Sequence, residues 1–121
     1  MNFLWVTMHV SNLNETQKFY EDIVGLTQCG NHKIENGEIT FLEDSEWSTK
    51  VELIYLETAN QISIGNDISL GFQVDSIDDM YALAMEKGLN IASGIISPNP
   101  HIKFFFVYDP NGVKVQFVQS D

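Results

Sequence analysis

The sequence contains no arginine, and this absence limits what the protein can bind. All six basic residues are lysines, against 17 acidic residues, which gives the 121-residue chain a formal net charge of −11. Nucleic acids and anionic membrane surfaces are bound through clustered lysine and arginine, and an arginine fork for phosphate or carboxylate is excluded. We therefore expect no nucleic-acid partner, no membrane partner, and a small-molecule ligand that is neutral or cationic.

Cysteine and long apolar runs are equally scarce. Cys29 is the only cysteine, so an intramolecular disulfide and a multi-cysteine metal site are both excluded. The longest apolar run, from Phe104 to Tyr108, is too short to span a bilayer. The first residues lack the basic and apolar regions of a signal peptide. Together these features predict a cytoplasmic protein.

An internal repeat organises the chain. A shift of 64 residues aligns apolar with apolar positions over most of each half. The aligned pairs include Val10 with Val74, Phe41 with Phe105, Leu42 with Phe106 and, after a slip of one residue, Gly25 with Gly88. We predict a single domain made of two repeated modules, residues 1–58 and 67–121, joined by a polar linker over Thr58–Asp67.

Each half has the pattern of one strand, one helix and three further strands. Alternating apolar residues predict the strands: Phe3–Val10, Thr27–Ile34, Glu38–Glu43 and Val51–Glu57, then Ser69–Val74, Ile91–Ile96, Ile102–Tyr108 and Val113–Gln119. Asn12 and Ser76 are predicted to cap the helices, which end at Gly25 and Gly88. The predicted fold class is α+β, with tandem βαβββ modules and mixed sheets.

Three segments of the sequence resemble a known family. They read HVSNLNETQKFYEDIVGL, LGFQVDSIDDMYALAMEKGL and FFFVYDPNGVKVQFVQ. The chain is similar to the vicinal oxygen chelate superfamily, which includes glyoxalase I, extradiol dioxygenases, fosfomycin-resistance enzymes and bleomycin-resistance proteins. The resemblance implies the glyoxalase/bleomycin-resistance fold, in which the sheets curl around a shared cavity, and it implies a homodimer.

The resemblance also implies the positions at which a metal would bind. Carried onto this sequence, the four family positions are Trp5, Glu52, Ser69 and Gln116. An indole nitrogen only donates hydrogen bonds, and a serine hydroxyl is a weak ligand. One carboxylate and one amide do not hold a tight transition metal. We therefore expect no metal and no cofactor, which argues against glyoxalase I or dioxygenase chemistry. The expected character is that of the metal-less bleomycin-resistance proteins.

Candidate ligand-binding residues follow from strand alternation, which turns one face of each strand towards the predicted cavity. They are Trp5, Thr7, His9, Glu52, Ile54, Ser69, Gln73 and Gln116, with Trp47 and His101 in loops at its mouth. Trp5 is either a platform for an aromatic or cationic ligand or a filler of the ancestral metal centre. Glu52 is either a counter-ion or general base, or it is paired with Lys114 or Gln116.

A nucleophile–base pair of Cys29 and His32 is a further hypothesis. The odd spacing of the two residues along one strand predicts that their side chains lie on opposite faces. On that argument the sequence disfavours the pair.

Two functions from different classes remain open at this stage. The first is a metal-independent binding protein that sequesters a cationic or aromatic molecule, such as an antibiotic. The second is an enzyme of the superfamily, an isomerase, epimerase or lyase, with an altered centre that uses Glu52 and His9 as catalytic residues. A third alternative is a module without a ligand, kept for an interaction surface.

Overall fold

A computed structural model describes residues 1–58 and 62–121, in two compact units that span residues 1–63 and 64–121. Each unit contains one mixed sheet and one helical segment after its first strand. The predicted α+β class with repeated βαβββ modules is confirmed. Part of the predicted linker Thr58–Asp67, residues 59–61, lies outside the described residues.

The first unit has four strands in the order β1-β4-β3-β2. Strand β1 is parallel to β4, whereas the other neighbours are antiparallel. Its elements are β1 (Trp5–His9), helix α1 (Leu13–Lys18) with a following π-helical turn (Phe19–Val24), β2 (Thr27–Ile34), β3 (Gly37–Glu43) and β4 (Lys50–Leu56).

The second unit has the order β5-β9-β8-β6, and β7 also pairs with β8. Strand β5 is parallel to β9, which repeats the arrangement of β1 and β4. Its elements are β5 (Ser69–Gln73), α2 (Ile77–Glu86), β6 (Asn90–Ile91), β7 (Ile96–Asn99), β8 (Ile102–Tyr108) and β9 (Lys114–Ser120).

The prediction of one continuous strand over Ile91–Ile96 is wrong. Two short strands replace it, β6 and β7, and both pair with β8. The Ser93 hydroxyl accepts a hydrogen bond from the backbone N–H of Phe106, at 3.2 Å. Because this side chain takes a backbone partner's place, the chain leaves the sheet at Ser93 and Gly94 before it pairs again.

The helix ends agree with the predicted caps. The Asn12 side chain accepts a hydrogen bond from the Glu15 N–H at 3.0 Å, and Ser76 accepts one from Asp79 at 3.2 Å. In the first unit the Gly25 N–H donates to the Tyr20 carbonyl, five residues earlier. A π-helical turn accommodates one more residue than an α-helical turn. This extra residue explains why Gly25 and Gly88 align only after a slip of one.

The strand registers correct the alignment of the two repeats. Phe41 lies opposite Glu52 in the first unit, and Phe106 lies opposite Gln116 in the second. Phe41 therefore corresponds to Phe106, not to Phe105 as the constant shift of 64 predicts. A shift of one residue moves a side chain to the other face of a sheet. The distinction decides which aromatic residues share a face with Glu52 and Gln116.

Each helical segment packs on one face of its own sheet. In the first unit the buried side chains include Met8, Tyr20, Leu42, Val51 and Leu53. In the second unit they include Ile77, Ala84, Phe105, Val115 and Phe117, and Tyr81 of α2 meets the Phe105 ring edge-on at 5.0 Å. The opposite face of each sheet, called the open face below, is exposed or half-buried. No helix among the described residues is long and apolar enough to cross a membrane.

Candidate functional site

The open face of the first unit brings together five of the predicted ligand-binding residues. The parallel pairing of β1 with β4 sets Thr7 beside Glu52 and His9 beside Ile54, and Trp5 lies one step along the same face. Met8 and Leu53, which alternate with them, are buried under the helix. Side chains of successive strand residues point to opposite sides. The sequence pattern therefore assigned these five residues to the correct face.

The Glu52 carboxylate has a hydrogen-bond partner within its own unit. The Thr7 hydroxyl donates to Glu52 Oε1 over a short distance of 2.5 Å. Glu52 is half-buried, and a carboxylate in such a place needs hydrogen bonds to offset lost hydration. The sequence analysis named Lys114 or Gln116 as structural partners and missed Thr7. The feature that could have identified this partner is the parallel pairing of the first and last strands of the module, which sets Thr7 and Glu52 side by side.

An aromatic pair lies next to Glu52. The Trp5 and Phe41 ring centroids are 5.4 Å apart, with an angle of 66° between the planes. Phe41 is the direct neighbour of Glu52 on β3, and His32 meets the Phe41 ring edge-on at 6.1 Å. Edge-to-face pairs of this kind form stable apolar surfaces. The sequence analysis did not name Phe41 as a site residue and considered His32 only with Cys29. Its shift of 64 aligned Phe41 with Phe105, which is buried in the second unit.

The charges on this open face do not balance. Lys50 Nζ lies 3.3 Å from Glu43 Oε1 and also donates to the Glu46 carbonyl. The lysine charge is thus already compensated by Glu43. Glu52, in contrast, is bound by the neutral Thr7 hydroxyl and has no cationic partner among the described residues. One uncompensated carboxylate therefore lies beside an aromatic pair in which Trp5 is 45% exposed and Phe41 is half-buried.

The argument that separated Cys29 from His32 does not hold in the structure. Strand β2 contains a bulge between Gln28 and Gly30, which interrupts the alternation of faces. The surroundings of Cys29 disfavour a thiolate nucleophile instead. Cys29 is exposed as a residue, yet loss of water around its sulfur, followed by the nearby Glu43 carboxylate, raises the pKa of the thiol. A thiol with a raised pKa is a poor nucleophile at neutral pH.

The second unit repeats the strand pairing with different chemistry. Parallel pairing sets Ser69 beside Lys114, Gly71 beside Gln116 and Gln73 beside Val118. A Cβ atom on Gly71 would lie 3.4 Å from Gln116 Oε1, in ordinary van der Waals contact, so Gly71 and this amide are direct neighbours on the open face. Lys114 Nζ lies 5.4 Å from the centre of the Phe106 ring. The open face of the second unit thus carries hydroxyl, amide and ammonium groups beside an aromatic ring.

The two predicted loop residues lie apart from these contacts. Trp47, between β3 and β4, is 91% exposed. His101 lies between β7 and β8, with its Nδ1 at 3.9 Å from an Asp121 carboxylate oxygen. Within residues 1–58 and 62–121, no recorded contact joins either residue to Glu52 or Gln116. Their place at a cavity mouth stays a prediction.

The donors at the four family positions do not match a transition-metal site. The first unit supplies the Glu52 carboxylate and the Trp5 indole, which has no lone pair to offer a metal. The second unit supplies the Ser69 hydroxyl and the Gln116 amide. Zinc, nickel and iron sites use three or four imidazole, thiolate or carboxylate ligands. In the described part of the chain, no cluster of three His, Cys, Asp or Glu residues has a geometry suited to a metal.

Comparison with known proteins decides the family. Residues 2–117 match the family model of the Glyoxalase/Bleomycin resistance protein/Dioxygenase superfamily. The chain belongs to this superfamily. It is 28% identical over 131 residues to a lactoylglutathione lyase of Haemophilus influenzae, which covers 99% of this chain and 93% of that protein.

Solved structures of other proteins share the fold of this chain. The trypanothione-dependent glyoxalase I of Leishmania major superposes with a TM-score of 0.86 at 18% identity, over 98% of this chain and 86% of the other. An antibiotic-binding protein from a Streptomyces species gives 0.71 at 15% identity, over 100% and 97%. Both an enzyme and a binding protein therefore have the fold of this chain, and the choice between these functions depends on the site.

Proposed function

We propose that this member of the superfamily is a metal-independent binding protein for a small aromatic or cationic molecule. The observation that carries the proposal is the half-buried Glu52 carboxylate, which has no cationic partner in the described chain and lies beside the Trp5–Phe41 pair. A carboxylate next to an aromatic surface recognises an organic cation through charge and cation–π attraction. The net charge of −11 also steers cations towards the protein.

The contacts of Thr7 and Lys50 leave Glu52 available to a ligand. Thr7 fixes one carboxylate oxygen of Glu52, so that the other oxygen is left for a ligand. Lys50 is held by Glu43 and does not compete for Glu52 among the recorded contacts. Ile54 and Phe41 flank the carboxylate and supply apolar surface. Sequestration of an antibiotic with a cationic aromatic group is one biological use of such a face.

The proposed function is tested with benzyltrimethylammonium, an aromatic cation, in a titration followed by tryptophan fluorescence. The Trp47→Phe background leaves Trp5 as the single tryptophan, so that quenching reports on this face. We expect saturable quenching that weakens by about tenfold in Glu52→Gln, because a charge-assisted contact is lost. Glu35→Gln is the matched control, since this substitution removes the same charge and Glu35 lies in the exposed turn between β2 and β3. Equal affinity in the two variants would refute the proposal.

The second candidate is an enzyme with an altered centre. It is favoured by the lactoylglutathione lyase of Haemophilus influenzae among the relatives of this chain. Glu52 would act as the base, and His9 lies on the neighbouring strand of the same face. The test follows the formation of lactoylglutathione from glutathione and methylglyoxal by the purified protein, with Glu52→Gln and His9→Gln variants. Turnover that both variants abolish would establish the enzyme and displace the binding function.

The assembly of the protein is part of the same proposal. A homodimer is supported by large apolar side chains left exposed around β1, namely Phe3, Leu4 and Trp5. Light scattering at several protein concentrations measures the mass in solution. A mass that stays near the 13.7 kDa of one chain would exclude the dimer.

A further inference from the structure

We infer that Asn36 is a site of spontaneous deamidation, at which the side-chain amide is converted to a carboxylate without an enzyme. The chain contains two Asn-Gly dipeptides, Asn36-Gly37 and Asn111-Gly112. The structure leaves the first accessible to this reaction and protects the second. The inference does not depend on the proposed function, because none of the proposed ligand-binding residues takes part.

The reaction is an intramolecular displacement at the side-chain amide. The backbone nitrogen of Gly37 gives its proton to solvent and attacks Cγ of Asn36. The new C–N bond closes a succinimide ring, the Cγ–Nδ2 bond breaks, and the leaving nitrogen takes a proton and departs as ammonia. Water then adds to either ring carbonyl and yields aspartate or isoaspartate. Glycine favours the attack because it has no side chain to crowd the nitrogen.

The backbone of the hairpin requires both residues of the reactive dipeptide. Glu35 and Asn36 form the two-residue turn between β2 and β3. Asn36 has a φ of 66°, in the left-handed region that asparagine tolerates better than most residues. A Cβ atom on Gly37 would clash with the Tyr55 carbonyl oxygen, so a larger residue does not fit there. The Asn-Gly sequence is therefore a consequence of this turn.

The turn at Asn36 is in a position to open locally. Ring closure brings the Gly37 nitrogen to Asn36 Cγ, so the turn must first leave its folded geometry. Residues 31–36 are all exposed, and β2 is the edge strand of the sheet in its unit. The Asn36 carbonyl accepts a hydrogen bond from the Glu57 N–H at 2.8 Å, and no bond of its side-chain amide is recorded within the described chain. Exposed ends of this kind open at a low free energy.

The turn at Asn111 is fixed by a buried carboxylate. Asp109 is 5% exposed, and its Oδ1 accepts hydrogen bonds from the N–H groups of Asn111 and Val113. The Gly112 N–H, which would have to attack, donates to the Asp109 carbonyl at 3.0 Å. Opening this turn breaks several hydrogen bonds to a buried residue, which raises the free energy of the reactive state. The same dipeptide is thus protected in the second unit.

Deamidation at Asn36 changes both the charge and the backbone of the hairpin. The new carboxylate lies next to Glu35 in the chain and takes the net charge from −11 to −12. Isoaspartate also routes the main chain through the former side-chain carbon, which displaces the carbonyl that the Glu57 N–H binds. We therefore expect the isoaspartate form to unfold at a lower urea concentration than Asn36→Asp, which has the same charge and a normal backbone.

The test compares the two dipeptides within one chain. The folded full-length protein is incubated at mildly alkaline pH, and proteolytic peptides are analysed by mass spectrometry for acid at each position. We expect Asn36 to react about tenfold faster than Asn111 or more, because the opening step at Asn111 loses buried hydrogen bonds. In concentrated urea the two rates should become similar, since the folded turns are then absent.

Two variants complete the test. Asn36→Gly keeps the positive φ and has no amide, so the acid formed at this position should disappear. Asp109→Ala removes the carboxylate that holds the second turn, so Asn111 should react several-fold faster while Asn36 reacts at its original rate.

Three results would overturn the inference, and all are measured on the unchanged chain, where no variant can misfold. The first is an equal rate at Asn36 and Asn111 in the folded protein. The second is a preference for Asn36 that persists undiminished in urea, which would assign it to the local sequence. The third is no acid at Asn36 in the folded protein under conditions in which the unfolded chain reacts.

Discussion

Thr7 donates a short hydrogen bond to Glu52 across the parallel pair of strands β1 and β4. The bond joins residues that are 45 positions apart in the sequence, and it orients the carboxylate on the open face of the first unit. Because Thr7 acts through Glu52, it is a positioning residue in the proposed binding function. Its effect on binding is therefore expected to be larger than its effect on stability.

Replacement of Thr7 tests this positioning role. Thr7→Val keeps the shape of the side chain and removes the hydroxyl, so the affinity for benzyltrimethylammonium should fall several-fold while the free energy of unfolding changes by about 1 kcal/mol or less. Thr7→Ser restores the donor and should restore the affinity. Fluorescence titration and urea unfolding measure the two quantities. A Thr7→Ser protein as weak as Thr7→Val would show that the hydroxyl has no positioning role.

The contact between Trp5 and Phe41 is tested by a double-mutant cycle. Trp5→Leu, Phe41→Leu and the double variant are unfolded with urea, and their free energies of unfolding are compared. The edge-to-face geometry predicts a coupling energy of about 0.5–1.5 kcal/mol beyond the loss of buried area. Strictly additive effects would mean that the two rings do not interact in solution.

Much of the fold was predictable because local patterns and tertiary contacts agree. Strands β2 and β8 have the predicted bounds, and Asn12 and Ser76 cap the helices as expected. The sequence-based predictions failed where one residue is inserted into a helix or strand, or where a side chain takes the place of a backbone hydrogen-bond partner. The π-helical turn, the β2 bulge and Ser93 are of this kind. Alternation does not locate an inserted residue. The constant shift therefore aligned Phe41 with Phe105 instead of Phe106, and the opposite-face argument for Cys29 and His32 did not allow for the bulge.

The buried Asp109 should be important for the stability of the second unit. Its Oδ1 accepts hydrogen bonds from the N–H groups of Asn111 at 2.7 Å and Val113 at 2.9 Å, in the turn before β9. Asp109→Ala leaves buried donors without this partner and should lower the free energy of unfolding by about 2 kcal/mol or more. Asp44→Ala, in an exposed loop, is the control in the same urea measurement. Equal stabilities of the two variants would contradict this role of the turn.

The reactivity of Cys29 should depend on its charged neighbours. The pKa of this thiol is raised by loss of water and by Glu43, and it is lowered by Lys50. A raised pKa reduces the thiolate fraction, so reaction with a disulfide reagent should be slow at neutral pH and should accelerate as the pH rises. Glu43→Gln removes a raising cause and should speed the reaction at pH 7.5, whereas Lys50→Met should slow it. The opposite order of rates would show that these charges do not act on the thiol.

Calorimetric titration of metal-free protein is the most direct test of the central claim, that Glu52 binds a cation without a metal. The protein is dialysed against a chelator, its metal content is determined by elemental analysis, and benzyltrimethylammonium is then titrated. The account predicts binding that survives dialysis and weakens about tenfold in Glu52→Gln but not in Glu35→Gln. A near-stoichiometric transition metal in the untreated protein, absent from Glu52→Ala and required for binding, would contradict it.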